Sequence, residues 1–113
     1  MNLTTMFGQE NLNKTLIHVK EGDKIGFINF DGIEIIPVEF DAVKWFSENI
    51  LPVNKGAVRK DYEPIGGKWG FWNRQGKEII PLKYEDAKIF REGLAPVKLN
   101  GKYGFINLND EIK

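Results

Sequence analysis

Lys24-Ile25-Gly26-Phe27-Ile28-Asn29 returns as Lys68-Trp69-Gly70-Phe71-Trp72-Asn73 and again as Lys102-Tyr103-Gly104-Phe105-Ile106-Asn107. Around the first two copies the likeness covers a whole unit. Residues 24–54 align with 68–98 without a gap, and 14 of the 31 positions are identical. The intervals between copies are 44 and then 34 residues, so the first unit is followed by an insertion, 55–67. Self-similarity of this kind marks an architecture in which one supersecondary unit cannot bury its own apolar face and a stacked neighbour supplies the missing one. Upstream, Leu16-Ile17-His18-Val19-Lys20 has the apolar spacing of Leu94-Ala95-Pro96-Val97-Lys98. The chain therefore divides into an N-terminal segment 1–15, assigned to no element, and a repeat domain 16–113. That domain holds a repeat tail, the full units 24–54 and 68–98, and a partial unit 102–113.

Each unit reads as short strands and turns. Lys24–Asn29 is β-rich, and Asn29-Phe30-Asp31-Gly32 supplies the backbone angles of a tight hairpin. Ile33–Ile36 returns as a second strand, expected to end at Pro37 because proline cannot donate to a ladder. Glu39–Phe46 and Ile50–Val53 give two more strands around the turn Ser47-Glu48-Asn49, which the second unit replaces by Arg91-Glu92-Gly93. Asn100-Gly101 signals a hairpin between Val97-Lys98 and Lys102-Tyr103. No sustained 3.6-residue period follows residue 16, so the expected fold is all-β. Its antiparallel hairpin repeats would stack into a twisted sheet or a partly closed barrel-like or solenoid-like domain. Alternation sends Trp69 and Phe71 to one face and Gly70 and Trp72 to the other. The recurring glycine is expected wherever an aromatic ring or backbone comes too close for a Cβ.

Composition removes much chemistry. The chain of 113 residues is one small domain that can bury a core without disulfides or metal. Sixteen basic and sixteen acidic side chains cancel, which leaves no basic footprint for nucleic acid or an anionic membrane. Absence of cysteine excludes thiol nucleophiles, disulfides, zinc–thiolate sites and iron–sulfur clusters. His18 and Ser47 are the only histidine and serine, so a Ser-His-Asp triad would have to join a repeat edge to a loop. No cofactor, metal or catalytic residue is expected. There is no run of about 18 apolar residues, and Met1–Thr15 lacks the basic start and apolar core of a secretory signal. The expected location is the cytoplasm.

The stretch Gly67–Ala87, GKWGFWNRQGKEIIPLKYEDA, followed by Phe90 and by Glu92-Gly93-Leu94-Ala95-Pro96-Val97, resembles the WG-repeat (KWG-repeat) family. The resemblance covers about residues 16–109. Ile25 and Tyr103 depart from it at the signature tryptophan, and Asn49 at a glycine. It implies a β-hairpin repeat protein without catalytic machinery that serves as a binding scaffold. Small bacterial members stand beside polymorphic or contact-dependent toxins and are held to act as immunity proteins.

Internal comparison separates scaffold from candidate site. The pairs Glu48/Glu92 and Asp41/Glu85 recur in both units, so they are expected to serve the fold. A carboxylate-dependent enzyme using Asp41 and Glu85 is the alternative they leave. The insertion belongs to one unit alone, and repeat insertions tend to lie on the binding face. Its Arg59, Lys60, Asp61, Tyr62 and Glu63 are the candidate partner-binding residues, tyrosine and arginine being enriched at interface hot spots. Trp45 and Trp72, unique to single units, are expected in the core, and His18 at a repeat edge. Lys24, Lys68 and Lys102 beside ring or aliphatic positions hint at stacking on single strands, against which stand the neutral charge and the expected burial of Trp69 and Tyr103. The expected function is a non-enzymatic protein-binding module, most concretely a bacterial immunity protein that binds and occludes a cognate toxin. A generic scaffold for a peptide or glycan is the alternative.

Overall fold

The motif strand KWGFW carries rings on both faces, Trp69 and Phe71 on one and Trp72 on the other, so it needs cover on both, and the fold supplies it from successive repeats. A computed structural model describes residues 15–113. The segment 1–15 accordingly lies outside the described residues, but for Thr15. Ten strands follow in order: β1 (Ile17–Glu21), β2 (Lys24–Ile28), β3 (Glu34–Phe40), β4 (Ala42–Val43), β5 (Ile50–Lys60), β6 (Glu63–Asn73), β7 (Glu78–Tyr84), β8 (Asp86–Ala87), β9 (Ala95–Leu99) and β10 (Lys102–Ile106). They form three antiparallel sheets with orders β1-β2-β3, β4-β5-β6-β7 and β8-β9-β10. All three orders are open, so the twisted-sheet expectation holds and no barrel closes among the described residues. Each motif strand sits beside the tail of the preceding unit: β2 on β1, β6 on β5, β10 on β9.

The expected strand Glu39–Phe46 is in fact broken at Asp41. There the chain leaves one sheet for the next, held by Asp41 N donating to Asn54 O at 2.8 Å. Glu85 repeats the step, its N donating to Lys98 O at 2.8 Å. Pro37 does not end a strand either: β3 runs through it to Phe40. Ile25 faces Phe40 and Phe27 faces Ile36, so two steps along β2 match four along β3. Pro37 lies in this bulge, where the ladder asks for no donor. The bulge also explains the glycine of the motif. A Cβ on Gly26 would lie 2.6 Å from Ile36 O, and one on Gly70 would lie 2.5 Å from Ile80 O. At Gly104, beside which the described residues form no return strand, a Cβ would meet nothing within 4 Å.

The asparagine that closes each motif has an equally local cause. Asn29 Oδ1 accepts from Asp31 N at 2.9 Å and Ile33 N at 3.0 Å, and Asn73 and Asn107 repeat the pattern over their own turns. A side-chain acceptor two residues upstream holds such a turn in shape.

Alternation in the motif strand then distributes its rings as expected. Trp69 and Phe71 join the core cluster of Ile80, Tyr84, Ala87, Phe90, Val97 and Ile106. Trp72 packs from the opposite face against Phe27, Ile36, Phe40, Leu51 and Val53. Phe71 and Phe90 meet edge to face with centroids 5.1 Å apart, as Phe27 and Phe46 do at 5.3 Å one unit earlier. Burying one such side chain is worth about 1.5–3 kcal/mol.

Candidate functional site

The first unit is joined to the second by a set of polar links. Lys44 Nζ pairs with Asp86 Oδ1 at 3.0 Å, Ser47 Oγ donates to Phe90 O at 2.6 Å, and Arg74 N donates to Asn49 O at 3.2 Å. The Glu48 carboxylate accepts from the backbone N–H groups of Glu92 and Gly93. Glu48 thus closes the turn of the following unit. Asp41 and Glu85 are likewise occupied by hairpins. Asp41 Oδ2 accepts from Gly56 N at 2.7 Å and Glu85 Oε1 from Gly101 N at 2.8 Å. A hydrogen bond from Lys24 and the Gly56 N–H hold the Asp41 carboxyl below the usual carboxylate range. Among the described residues no group of three or more His, Asp or Glu side chains is placed to hold a metal ion. No helix there is long and apolar enough to cross a membrane.

The insertion is not a loose loop. β5 and β6 continue past the body of the sheet as a two-stranded ribbon, with Lys60 facing Glu63 across the tip. Asp61 and Tyr62 form the turn with φ of 53° and 71°, the pair of positive angles that a two-residue hairpin of the I′ type needs. Arg59, Lys60, Asp61, Tyr62 and Glu63 are therefore gathered at the ribbon tip, all exposed. Tyr62 is 96% exposed, and Arg59 Nη1 reaches its carbonyl at 3.4 Å.

A concavity lies elsewhere, beside the ribbon. A groove of about 780 Å³ is lined by Val43, Lys44 and Trp45 from the first unit and by Pro64 and Trp69 from β6. Lys88, Ile89, Arg91, Glu92, Leu94 and Pro96 follow from the second unit, and Phe105 from β10. Pro64 is the one member of the insertion in this lining; the five candidate residues at the tip are not in it. Trp45 corrects an expectation: 63% exposed, it is no core residue. Strand β4 ends at Val43, so the alternation that would have turned Trp45 inward is lost one residue past the ladder. Tyr103 also departs from its expected burial, at 56% exposed, and Phe105 is 51% exposed although its counterpart Phe71 is fully buried. The difference is the return strand, present beside β6 as β7 and reduced beside β10 to the bridge of Ile106 with Ile112.

Of the lining side chains, Lys44 is paired with Asp86, which is not itself part of the lining. Burial pushes its carboxyl up, but the Tyr103 hydroxyl, which donates at 2.5 Å, and the Lys44 ammonium outweigh burial and leave it below the usual range. Lys44 Nζ also stands 4.8 Å from the Trp69 ring centroid, a cation–π contact. Sequence reasoning singled out Trp45 as unique but missed the groove, whose lining runs from residue 43 to residue 105.

The family model described as WG containing repeat matches residues 25–58 and 69–103, more than half of the chain. No curated protein and no solved structure matches it.

Proposed function

The chain belongs to the WG-repeat family, and on that premise we propose that it is a non-enzymatic module that binds a protein partner through the groove and the adjoining ribbon. In its most concrete form it is an immunity protein that covers a cognate toxin. One observation carries the binding reading: Trp45, exposed at 63%, and Phe105, exposed at 51%, line one apolar groove. Large rings kept in water beside a concave surface are the material of interface hot spots. The lining is largely apolar with four charged side chains, Lys44, Lys88, Arg91 and Glu92, which suits a peptide segment better than a hydroxyl-rich glycan. The ribbon tip extends the surface and supplies Tyr62 and Arg59 as outlying anchors.

The test is growth rescue. A protein that co-purifies with the tagged chain and arrests growth when expressed alone should be neutralised by the wild-type chain. It should escape neutralisation when the chain carries Trp45→Ala with Phe105→Ala. Rescue that ignores both groove and tip substitutions would overturn the proposal.

A further inference from the structure

One side of the groove is formed by the face that stacks repeats, seen one unit later. In the first unit Lys44, Ser47 and Glu48 engage Asp86, Phe90 O and the N–H groups of Glu92 and Gly93. Forty-four residues on, Lys88, Arg91 and Glu92 occupy the same positions. Among the described residues no ion pair reaches any of these three side chains. Apolar neighbours tell the same story: Phe71 lies under Phe90 and is fully buried, whereas its counterpart Phe105 is half-exposed.

We propose that this face takes a strand-and-turn segment of the protein partner built like Asp86–Gly93. The segment would bring a carboxylate for Lys88, a ring to lie on Phe105, and a glycine turn whose two N–H groups the Glu92 carboxylate accepts. The inference rests on the protein-binding reading above and names the chemistry of what is bound. Arg91 in place of Ser47 gives the face two cations against one carboxylate, so it selects an acidic segment. A second copy of this chain is a poor occupant. Its first unit has Ala42 where Asp86 stands, and its Phe46 already lies against Phe27 and under Arg74, whose guanidinium carbon is 4.3 Å from the ring centroid.

The probe is a synthetic peptide with the sequence of residues 84–98, titrated into the full chain. Binding is read from tryptophan fluorescence, since Trp45 and Trp69 line the groove, and from backbone amide shifts. The same segment fused after Lys113 through a flexible linker gives a second measurement that does not depend on a strong free-peptide affinity. Expected are saturable binding, shifts centred on residues 88–94, and a higher melting temperature for the fusion. Lys88→Glu should weaken the peptide about tenfold, and the peptide with Asp86→Lys should recover that loss on the Lys88→Glu chain. Absence of shifts at residues 88–94 with both free and fused segment, or indifference to the charge exchange, would overturn the inference. So would dimerisation of the unliganded chain through this face. A natural partner that binds the Lys88→Glu and Glu92→Gln chains unchanged would sink this inference and leave the proposed function standing. Peptide binding without any cellular partner would do the reverse.

Discussion

Replacing Gly70 by alanine places a methyl group 2.5 Å from Ile80 O, 2.8 Å from Pro81 C and 2.9 Å from Leu82 N, where ordinary contact begins near 3.4 Å. All three atoms are backbone, and the bulge they form is pinned on one side by Trp69 facing Tyr84 and on the other by Phe71 facing Ile80. Those four side chains are at most 5% exposed, so neither strand can retreat without opening the core. Overpacking of this kind costs about 1–3 kcal/mol, and rigid backbone neighbours argue for the upper half, about 2–3 kcal/mol. For a domain of this size that lowers the melting temperature by about 8–12 °C. Gly26→Ala, with its Cβ 2.6 Å from Ile36 O, should behave alike. Gly104→Ala meets nothing within 4 Å and should change stability by less than about 0.5 kcal/mol, tending to stabilise because alanine has less chain entropy to lose. Thermal and urea denaturation followed by circular dichroism measures all three. If Gly104→Ala costs as much as Gly70→Ala, or if Gly70→Ala is harmless, the bulge is not the reason for the glycine and the packing account fails.

Other perturbations separate scaffold from surface. Glu48→Ala removes the acceptor for two N–H groups of the next turn and should cost about 1–3 kcal/mol in urea denaturation, while Glu92→Ala, whose carboxylate has no ion-pair partner among the described residues, should cost nothing measurable. Tyr62→Gly relieves a ring residue held at φ 71° and should raise stability by about 0.5–1 kcal/mol; a lower melting temperature would refute the turn assignment. The Asp41 carboxyl sits below its ordinary 3.8 in the fold, so its contribution is present above that pH and is lost as pH falls through the lower folded value. Acid unfolding of Asp41→Asn should therefore be less steep than that of the wild type below about pH 4. Burial, and then the hydrogen bond to Asp110, push the Tyr84 hydroxyl well above its ordinary 10.0. That stabilisation is full below this pH and is lost as pH rises beyond it, so Tyr84→Phe should flatten the alkaline limb of the melting curve.

Much of the fold could be read from residues that act locally. The thrice-repeated motif, the Asn turns and the close-approach glycine each follow from one strand and its immediate neighbour. What escaped sequence reasoning is set by distant partners. Pro37 looks like a strand end until the bulge opposite Gly26 is seen. Trp45 follows the point where the chain changes sheets, so strand alternation no longer governs it. Tyr103 and Phe105 repeat the chemistry of Trp69 and Phe71, and their exposure depends on the return strand beside them, not on their own sequence. The insertion was legible as an addition, and its residues do collect at one exposed tip. The groove beside it is non-local, and only the uniqueness of Trp45 pointed toward it.

The central claim is that this surface exists to hold a protein. Its most direct measurement is quantitative affinity capture from cells that make the protein, using tagged wild type and Trp45→Ala side by side. Trp45 is largely exposed, so the substitution should leave the melting temperature within about 1–2 °C, as expected for a surface site. The account predicts one stoichiometric partner on the wild type, reduced at least about tenfold on Trp45→Ala, the loss expected of a hot-spot ring. An equal yield of that partner on both chains, or no partner on the wild type, would contradict it.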